Sequence, residues 1–351
     1  MRHLASLQLV KEIQPIEGAD KIEKIRIKDW WVVSQTGTFK VDEPCVYFEI
    51  DSLLPSNNPV FNFLSRGTKE KTMLIDGKEY KGYRLKTIKL RGQISQGLAL
   101  SITEFPTLVE QIRKHLTMIG DDVSDILGIV KYEQPIPAQL AGKIKGYFPS
   151  YIPKTDEERI QNCSDILERH KGEIFYITEK IDGCSSTFFK HEGKFGVCSR
   201  NLELEETEDN TFWKIVKEFN LAEKLPDEFV LQGEIIGEGV QKNPLKLKGQ
   251  KLFVFNVYDL KNGRYLDFED FVKFCEDMGI PSVPIVNSAY TLNNSAEELL
   301  EMANGKSLLS PELDREGLVF RPIIEASDII NGSFSRLSFK VVSNNYLLNE
   351  E

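Results

Sequence analysis

Cysteine and histidine are scarce in this sequence, with five and four residues among 351, and neither is clustered. Cys45, Cys163, Cys184, Cys198 and Cys275 are odd in number and scattered, which suits reduced, core-filling thiols better than a disulfide framework. His3, His115, His170 and His191 form no HxxxH or Cys/His spacing, so a structural zinc site or a zinc hydrolase finds no grouped ligands. Long apolar runs are missing as well. Stretches such as Ile126 to Val130 and Leu252 to Phe255 fall far short of the roughly 20 residues that span a bilayer. The opening Met1 to Val10 breaks its apolar run at Gln8, with Lys11 following, and has neither the continuous apolar core nor the small-residue cleavage site of a signal peptide. An intracellular, membrane-free protein is therefore expected, with nuclear or cytoplasmic placement open. Gly237 and Gly239 lack the third glycine of a dinucleotide fingerprint, and no internal repeat is visible.

What is present is ordinary globular composition: 41% apolar and 28% charged residues, with a net charge of -10. At about one to two hundred residues per domain, the length predicts two domains. The acidic balance argues against a non-specific polyanion binder, so any nucleic-acid surface must be a local basic patch. Two stretches without an intervening acid qualify: Lys81, Arg84, Lys86, Lys89 and Arg91, and then Lys242, Lys246, Lys248 and Lys251. Both suit a phosphate-backbone footprint, and both equally suit strand edges protected by lysine.

Alternating segments at Leu4 to Ile13, Ile22 to Val33, Cys45 to Ile50 and Tyr83 to Leu90, separated by Gly, Pro, Asp and Asn turns, predict a small β-barrel up to about Leu100, followed by a helical pattern at Thr103 to Leu116, the two making a first domain over 1–133. The proline-punctuated 134–153 reads as a linker. A second domain over 154–351 opens with Thr155 and Glu158 in capping-box spacing and the helical pattern Ile160, Cys163, Ile166, Leu167, ended by Gly172. Strands follow at 174–181, 187–190, 195–199, 229–236, 252–258, 317–321 and 337–342, interleaved with helices near 211–225, 268–278 and 296–304, which makes the fold α+β.

Within this second domain Lys180 stands at a strand end before Asp182-Gly183, on the face of Ile174, Tyr176 and Thr178. A strand-end lysine above an Asp-Gly turn suits solvent; it also suits a nucleophile that forms a phosphoramidate, provided burial or nearby cations lower its pKa from about 10.4. Glu234 and Glu316 sit beside strand residues and glycines, where two fixed carboxylates could hold a hydrated Mg²⁺. Lys340 could grip an α-phosphate, and Arg159 and Arg200 are further phosphate or ribose contacts. Phe255 offers a ring for stacking on a base, although a core strand would use Phe253 and Phe255 alike.

In order, EKIDG (179–183), SR (199–200), FVLQGEIIGEG (229–239), KLFVFNVYD (251–259), DREGLVF (314–320) and SFK (338–340) resemble the motif series of covalent nucleotidyltransferases, the family of DNA ligases, RNA ligases and capping guanylyltransferases. PKTDEERIQ (153–161) and a β-rich domain placed before the transferase resemble the Deinococcus and Naegleria type of ATP-dependent RNA ligase. The resemblance covers nearly the whole chain. It implies an N-terminal OB-like barrel followed by a mixed α/β nucleotidyltransferase (ATP-grasp-like ligase) domain. It further implies that Lys180 takes AMP from ATP, that Arg159, Glu179, Gly183, Arg200 and Phe255 bind the nucleotide, and that Glu234, Glu316 and Asp182 hold Mg²⁺ or Mn²⁺ through water. Lys340 would neutralise the α-phosphate. Many relatives carry a second base where this chain has Ser338, with Arg336 two residues earlier, which leaves one phosphate contact unassigned.

The function implied is sealing of 3′-OH/5′-phosphate breaks in nicked duplex RNA or an RNA/DNA hybrid, with an RNA 3′-OH strand required, by a monomer whose Lys81, Arg84, Lys86, Lys89 and Arg91 grip the substrate. A DNA ligase, an mRNA-capping guanylyltransferase and a non-catalytic nucleic-acid end-binding protein are the alternatives.

Overall fold

The computed structural model describes residues 2–75, 77–133 and 138–349. They divide into two compact units, 2–133 and 138–349. In the first, Ala5–Ile16 is the central strand of a five-stranded antiparallel sheet, flanked by Pro44–Phe48 and Leu98–Ser101 on one side and Ala19–Ile27 and Trp30–Gln35 on the other. A four-stranded sheet is ordered Val130–Lys131, Ser52–Pro55, Lys78–Arg84, Glu70–Ile75. One apolar cluster built on Leu7, Phe48, Leu54, Phe61 and Leu108 and another on Val10, Ile25, Trp30 and Tyr47 fill this small barrel.

The second unit contains two larger sheets. The seven-stranded antiparallel one runs Ile144–Tyr147, Leu202–Leu204, Lys194–Cys198, Cys184–His191, Phe229–Gly237, Gln250–Asp259, Arg264–Tyr265. The five-stranded one runs Glu158–Arg159, Phe339–Val342, Gly317–Pro322, Ile174–Lys180, Ile285–Thr291, and its first pairing is parallel. Helices Thr211–Phe219 and Phe268–Met278 cover the larger sheet through Phe212, Ile215, Phe271 and Cys275. Helix Ala296–Ala303 packs Leu299 against Phe175, Phe320 and Phe339 of the smaller one. A separate apolar cluster of Ile181, Ile236, Leu245, Phe253 and Val283, with Phe255 beside it, draws on both sheets.

Several segments depart from the sequence pattern for identifiable reasons. The run 22–33 is two strands, because Lys28 adopts a left-handed turn conformation at φ 53°. The run 83–90 breaks at Leu85, whose backbone bonds Ser52 and Asp51 before the chain leaves for the hairpin Thr87–Leu90/Gln93–Gln96. Helix 211–225 is interrupted at Asn220, also left-handed, at φ 52°. No capping box forms at Thr155: Glu158–Arg159 pairs with Phe339–Lys340, the Thr155 hydroxyl meets that of Ser185 at 3.2 Å, and only Asp165–Arg169 is α-helical. Long-range pairing there outweighs the local capping preference. A capping box occurs instead at Ser295 and Glu298. Ile144–Tyr147, inside the stretch that reads as a linker, belongs to the seven-stranded sheet.

All five cysteines are thiols, and Cys184 alone is partly exposed. Burial, reinforced by a neighbouring glutamate in each case, pushes Cys45, Cys184, Cys198 and Cys275 up to about 12. No helix among the described residues is long and apolar enough to cross a membrane.

Gly317 shows how tightly the smaller sheet closes: a Cβ there would lie 2.2 Å from the Val341 carbonyl oxygen. Gly317→Ala is expected to lower stability by about 1–3 kcal/mol through overpacking, read from urea unfolding midpoints.

Candidate active site

One face of the five-stranded sheet collects the basic residues. Pairing places Thr178 opposite Val319, Val319 opposite Lys340 and Lys340 opposite Arg159, so these four side chains project from the same side in a row. Lys180 occupies the next row, opposite Gly317, whose missing side chain leaves space beside the amine. Lys340 is half-buried and Arg159 buried. The sequence-expected nucleophile and two of its expected phosphate contacts thus share a surface.

Carboxylates close in on Lys180. Its Nζ donates to Glu316 Oε1 at 2.5 Å, while Glu316 Oε2 is buried without a hydrogen-bond partner. Burial works against the ammonium, yet Glu316, Glu234 and Asp182 outweigh it and hold Lys180 above its ordinary pKa. The condition of a lowered lysine pKa is therefore not met in the ligand-free chain. Glu234 bears the cost of that crowding: burial pushes its carboxyl up to about 8, with Glu316 and Asp182 adding to the rise and Lys180 and Arg200 opposing it. Three carboxylates around one ammonium leave an excess of negative charge, and a buried oxygen on Glu316 lacks a donor. These features fit a divalent cation. Among the described residues no three Asp, Glu, His or Cys side chains converge to ligate an ion directly. Mg²⁺ or Mn²⁺ would accordingly be held by Glu316, Glu234 and Asp182 largely through water, as suits an ion that dehydrates reluctantly.

Backbone irregularity aims the remaining side chains. Gly183 approaches the neighbouring strand so closely that a Cβ would sit 2.4 Å from the Ile235 carbonyl oxygen, which brings the strand that carries Glu234 against the Lys180 turn. Between Phe229–Gly237 and Gln250–Asp259 the register slips: Gly233 faces Val254 and Gln232 faces Asn256, so Phe255 is the extra residue of a β-bulge. Phe255 lies with Phe253 and Ile181 rather than in the core behind the sheet. Glu179 points elsewhere. Its Oε2 accepts the Leu308 N–H at 2.7 Å, which ties down the 307–309 segment, and its Oε1 is buried without a partner.

The segment before Lys180 is stitched to both sheets. The Pro153 carbonyl accepts from Gln232 at 2.8 Å, Lys154 donates to the Arg200 carbonyl at 2.9 Å, and Asp156 pairs with Arg200 at 2.7 Å. Glu157 pairs with Arg321 at 2.7 Å; Arg321 is only 2% exposed, and its Nε and Nη1 find no hydrogen-bond partner. Burial opposes the Glu157 charge, but Arg321 and Arg336, with the Ser338 hydroxyl, hold it below the usual carboxylate range. Arg336 belongs to the same interior cluster: it grips Glu325 with two nitrogens, donates to Asn256 at 2.7 Å and lies 3.8 Å from the Tyr265 ring centroid. Neither Ser338, 3% exposed, nor Arg336 is presented as a second phosphate grip.

Tyr346, in the helix Asn344–Asn349, donates its hydroxyl to Asp182 at 2.6 Å. Nothing in the sequence pattern marks it. Gln232, by contrast, is a polar residue in the middle of the apolar run Phe229 to Ile236, an available signal for an interior polar cluster.

The first unit's basic stretch is less open than its sequence suggests. Arg84 bonds Asp51 at 2.7 Å and stacks on Tyr132, Lys81 pairs with Glu79 at 2.8 Å, and Lys86 is half-buried. Lys89 and Arg91 are exposed at the 87–96 hairpin.

Comparison with known proteins supplies independent findings. A family model described as RNA ligase matches residues 173–342, and one described as an OB-fold domain matches 4–102. Among solved structures, an apo variant of Naegleria gruberi RNA ligase is 39% identical with TM-score 0.86, covering 99% of this chain and 97% of that one. The same ligase with PPi is 40% identical with TM-score 0.86, and a variant with AMP and Mn is 40% identical with TM-score 0.85; each covers 99% of this chain and 98% of that one. No curated protein matches.

Tyr346→Phe should raise the Mn²⁺ concentration that protects against thermal unfolding by about tenfold or more, since partners behind a metal shell tune its affinity. Glu234→Gln should stabilise the ligand-free protein. Because the folded pKa of about 8 stands above the ordinary carboxyl value of 4.5, wild type loses stability as pH rises between the two, and the variant's advantage in urea unfolding should grow across that window and level off above it.

Proposed function

This chain belongs to the ATP-dependent RNA ligases, and from that premise we propose that it seals 3′-OH/5′-phosphate breaks in nicked duplex RNA or RNA/DNA hybrids, requiring RNA at the 3′-OH side. The observation that carries this reading is the shared face of Lys180, Lys340 and Arg159 set against Glu316, Glu234 and Asp182.

In the first step the Lys180 amine attacks the α-phosphorus of ATP; the Nζ–P bond forms as the bond to pyrophosphate breaks. Before it can react, the ammonium must lose a proton, and Glu316 Oε1 at 2.5 Å is the placed acceptor. A bound Mg²⁺ or Mn²⁺ would offset the carboxylate charge that keeps Lys180 protonated and would polarise the phosphate. Lys340 and Arg159 neutralise charge on the transferring and leaving phosphates, and Phe255 stacks on adenine. In the second step a 5′-phosphate oxygen takes AMP from Lys180, which departs as the amine. In the third the 3′-hydroxyl attacks that 5′-phosphorus and AMP leaves. Each step is an in-line displacement governed by positioning and charge neutralisation, so no histidine base is required. Lys89 and Arg91, with Lys81 and Lys86, contribute phosphate contacts from the OB-fold domain, while Arg84 orders Asp51 and Tyr132. The protein acts inside the cell as a monomer.

The test is incubation with α-labelled ATP or GTP and Mg²⁺, beside Lys180→Ala, followed by denaturing electrophoresis. Label from ATP on wild type and none on the variant is expected, with sealing of nicks that carry an RNA 3′-OH and little sealing with DNA there. Label from GTP alone would make the chain a capping enzyme, and nick binding without label an end-binding protein.

A further inference from the structure

The second lysine-rich stretch lies in the connection between Phe229–Gly237 and Gln250–Asp259, two neighbouring strands that pair with each other up to Gly237 and Gln250. Lys242, Lys246 and Lys248 lie in the loop itself, off any strand, so edge protection does not account for them. The loop is built rather than slack. Glu238 N–H bonds the Gly249 carbonyl at 2.8 Å to close its base, and Asn243 bonds Leu247 in both directions, at 3.0 and 2.8 Å. Gln241, Lys242 and Asn243 in succession, and then Lys246, hold positive φ at 43°, 60°, 52° and 52°. Left-handed backbone costs a non-glycine residue about 1–2 kcal/mol, and three in a row persist only where the surroundings fix them.

Apolar anchors do the fixing. Val240 inserts into the core behind the sheet, and Leu245 packs with Ile181, Ile236 and Phe253, its carbonyl accepting from Ser310 at 2.7 Å. Lys242, Lys246, Lys248 and Lys251 are left on the outside, all exposed. Lys246, Lys248 and Lys251 form no ion pair among the described residues, whereas other surface lysines such as Lys143, Lys145 and Lys273 each meet a carboxylate. A chain of net charge -10 thus holds unneutralised cations on a rigid loop anchored beside Ile181, the residue after the nucleophile.

We propose that the 240–249 loop, with Lys251 at its exit, binds the phosphodiester backbone of the RNA substrate close to the reacting 5′-phosphate. The proposal rests on the ligase reading for the identity of the polyanion. A flexible lysine cluster would bind any phosphate diffusely; the strained loop fixes the lysines at set positions beside the cluster of Ile181, Ile236 and Phe253, next to Lys180, where a strand presenting its 5′-end must run.

The test compares wild type with Lys246→Ala/Lys248→Ala/Lys251→Ala and with the matching triple arginine variant, using a nicked duplex that carries a 5′-phosphate and an RNA 3′-OH. The alanine variant should form lysyl-AMP from ATP as wild type does. It should bind the nick about tenfold or more weakly at low salt, with the slope of log K against log salt reduced by about two to three, and the arginine variant should restore both. Unchanged affinity and slope, loss of binding in the arginine variant, or a raised ATP requirement with nick binding intact would each overturn the loop assignment. Wild type that binds the nick without forming lysyl-AMP would instead overturn the ligase reading, leaving the loop to be judged on binding alone.

Discussion

The contact between Lys180 and Glu316 is the constraint around which the rest of the transferase domain is arranged. The Lys180 amine is held as an ammonium by a carboxylate, with Glu234 and Asp182 adding to the negative surroundings. The pair sits between strand Ile174–Lys180 and the start of strand Gly317–Pro322, so the register between those strands sets its geometry. Gly317 has to be a glycine for that register to close, and Gly183 has to be one for the strand bearing Glu234 to come near. A resting site of this kind is charged against itself until substrate and cation arrive. Burial above all, with Glu316 and Asp182 adding, raises the Glu234 carboxyl, and positive charge entering the site would favour its ionised form.

On the same face, beyond the row of Thr178, Val319 and Lys340, lies a second polar cluster. Glu157, Arg321, Arg336, Glu325, Asn256 and Gln232 link the strands of the smaller sheet, the larger sheet and the Pro153–Arg159 segment. Breaking one member would strand a buried charge, which costs far more than the pair contributes when intact. Together with the parallel pairing of Glu158–Arg159 on Phe339–Lys340, the cluster fixes the segment that carries Arg159. Its arginines account for the absence of a paired base at the last motif: Arg336 is engaged inside the domain.

Much of this was legible in the sequence. The alternation of 174–180 placed Lys180 at a strand end, and the order of short motifs pointed to the chemistry before any pairing was known. Other features depend on contacts distant in the chain. Thr155 and Glu158 satisfy the local rule for a helix start, but a parallel strand far later in the chain, with Phe339 opposite Glu158, competes successfully for the same backbone. The bulge at Phe255 is a property of two strands together and has no signature in either alone. Tyr346 reaches Asp182 from a terminal helix whose sequence carries no motif. Charge along the chain was also an incomplete guide: Arg84 and Lys81 count as part of a basic run, yet folding supplies Asp51 and Glu79 as partners.

The buried thiols have a practical chemical meaning. With Cys45, Cys184, Cys198 and Cys275 near 12, the thiolate fraction at neutral pH is on the order of one in a hundred thousand. Cys184 lies four residues beyond Lys180 and is partly exposed, yet it presents almost no competing sulfur nucleophile to an electrophilic nucleotide. The same quiescence gives these four positions low reactivity toward alkylating reagents and peroxide, so a single cysteine introduced on the surface could carry a fluorophore on the native background.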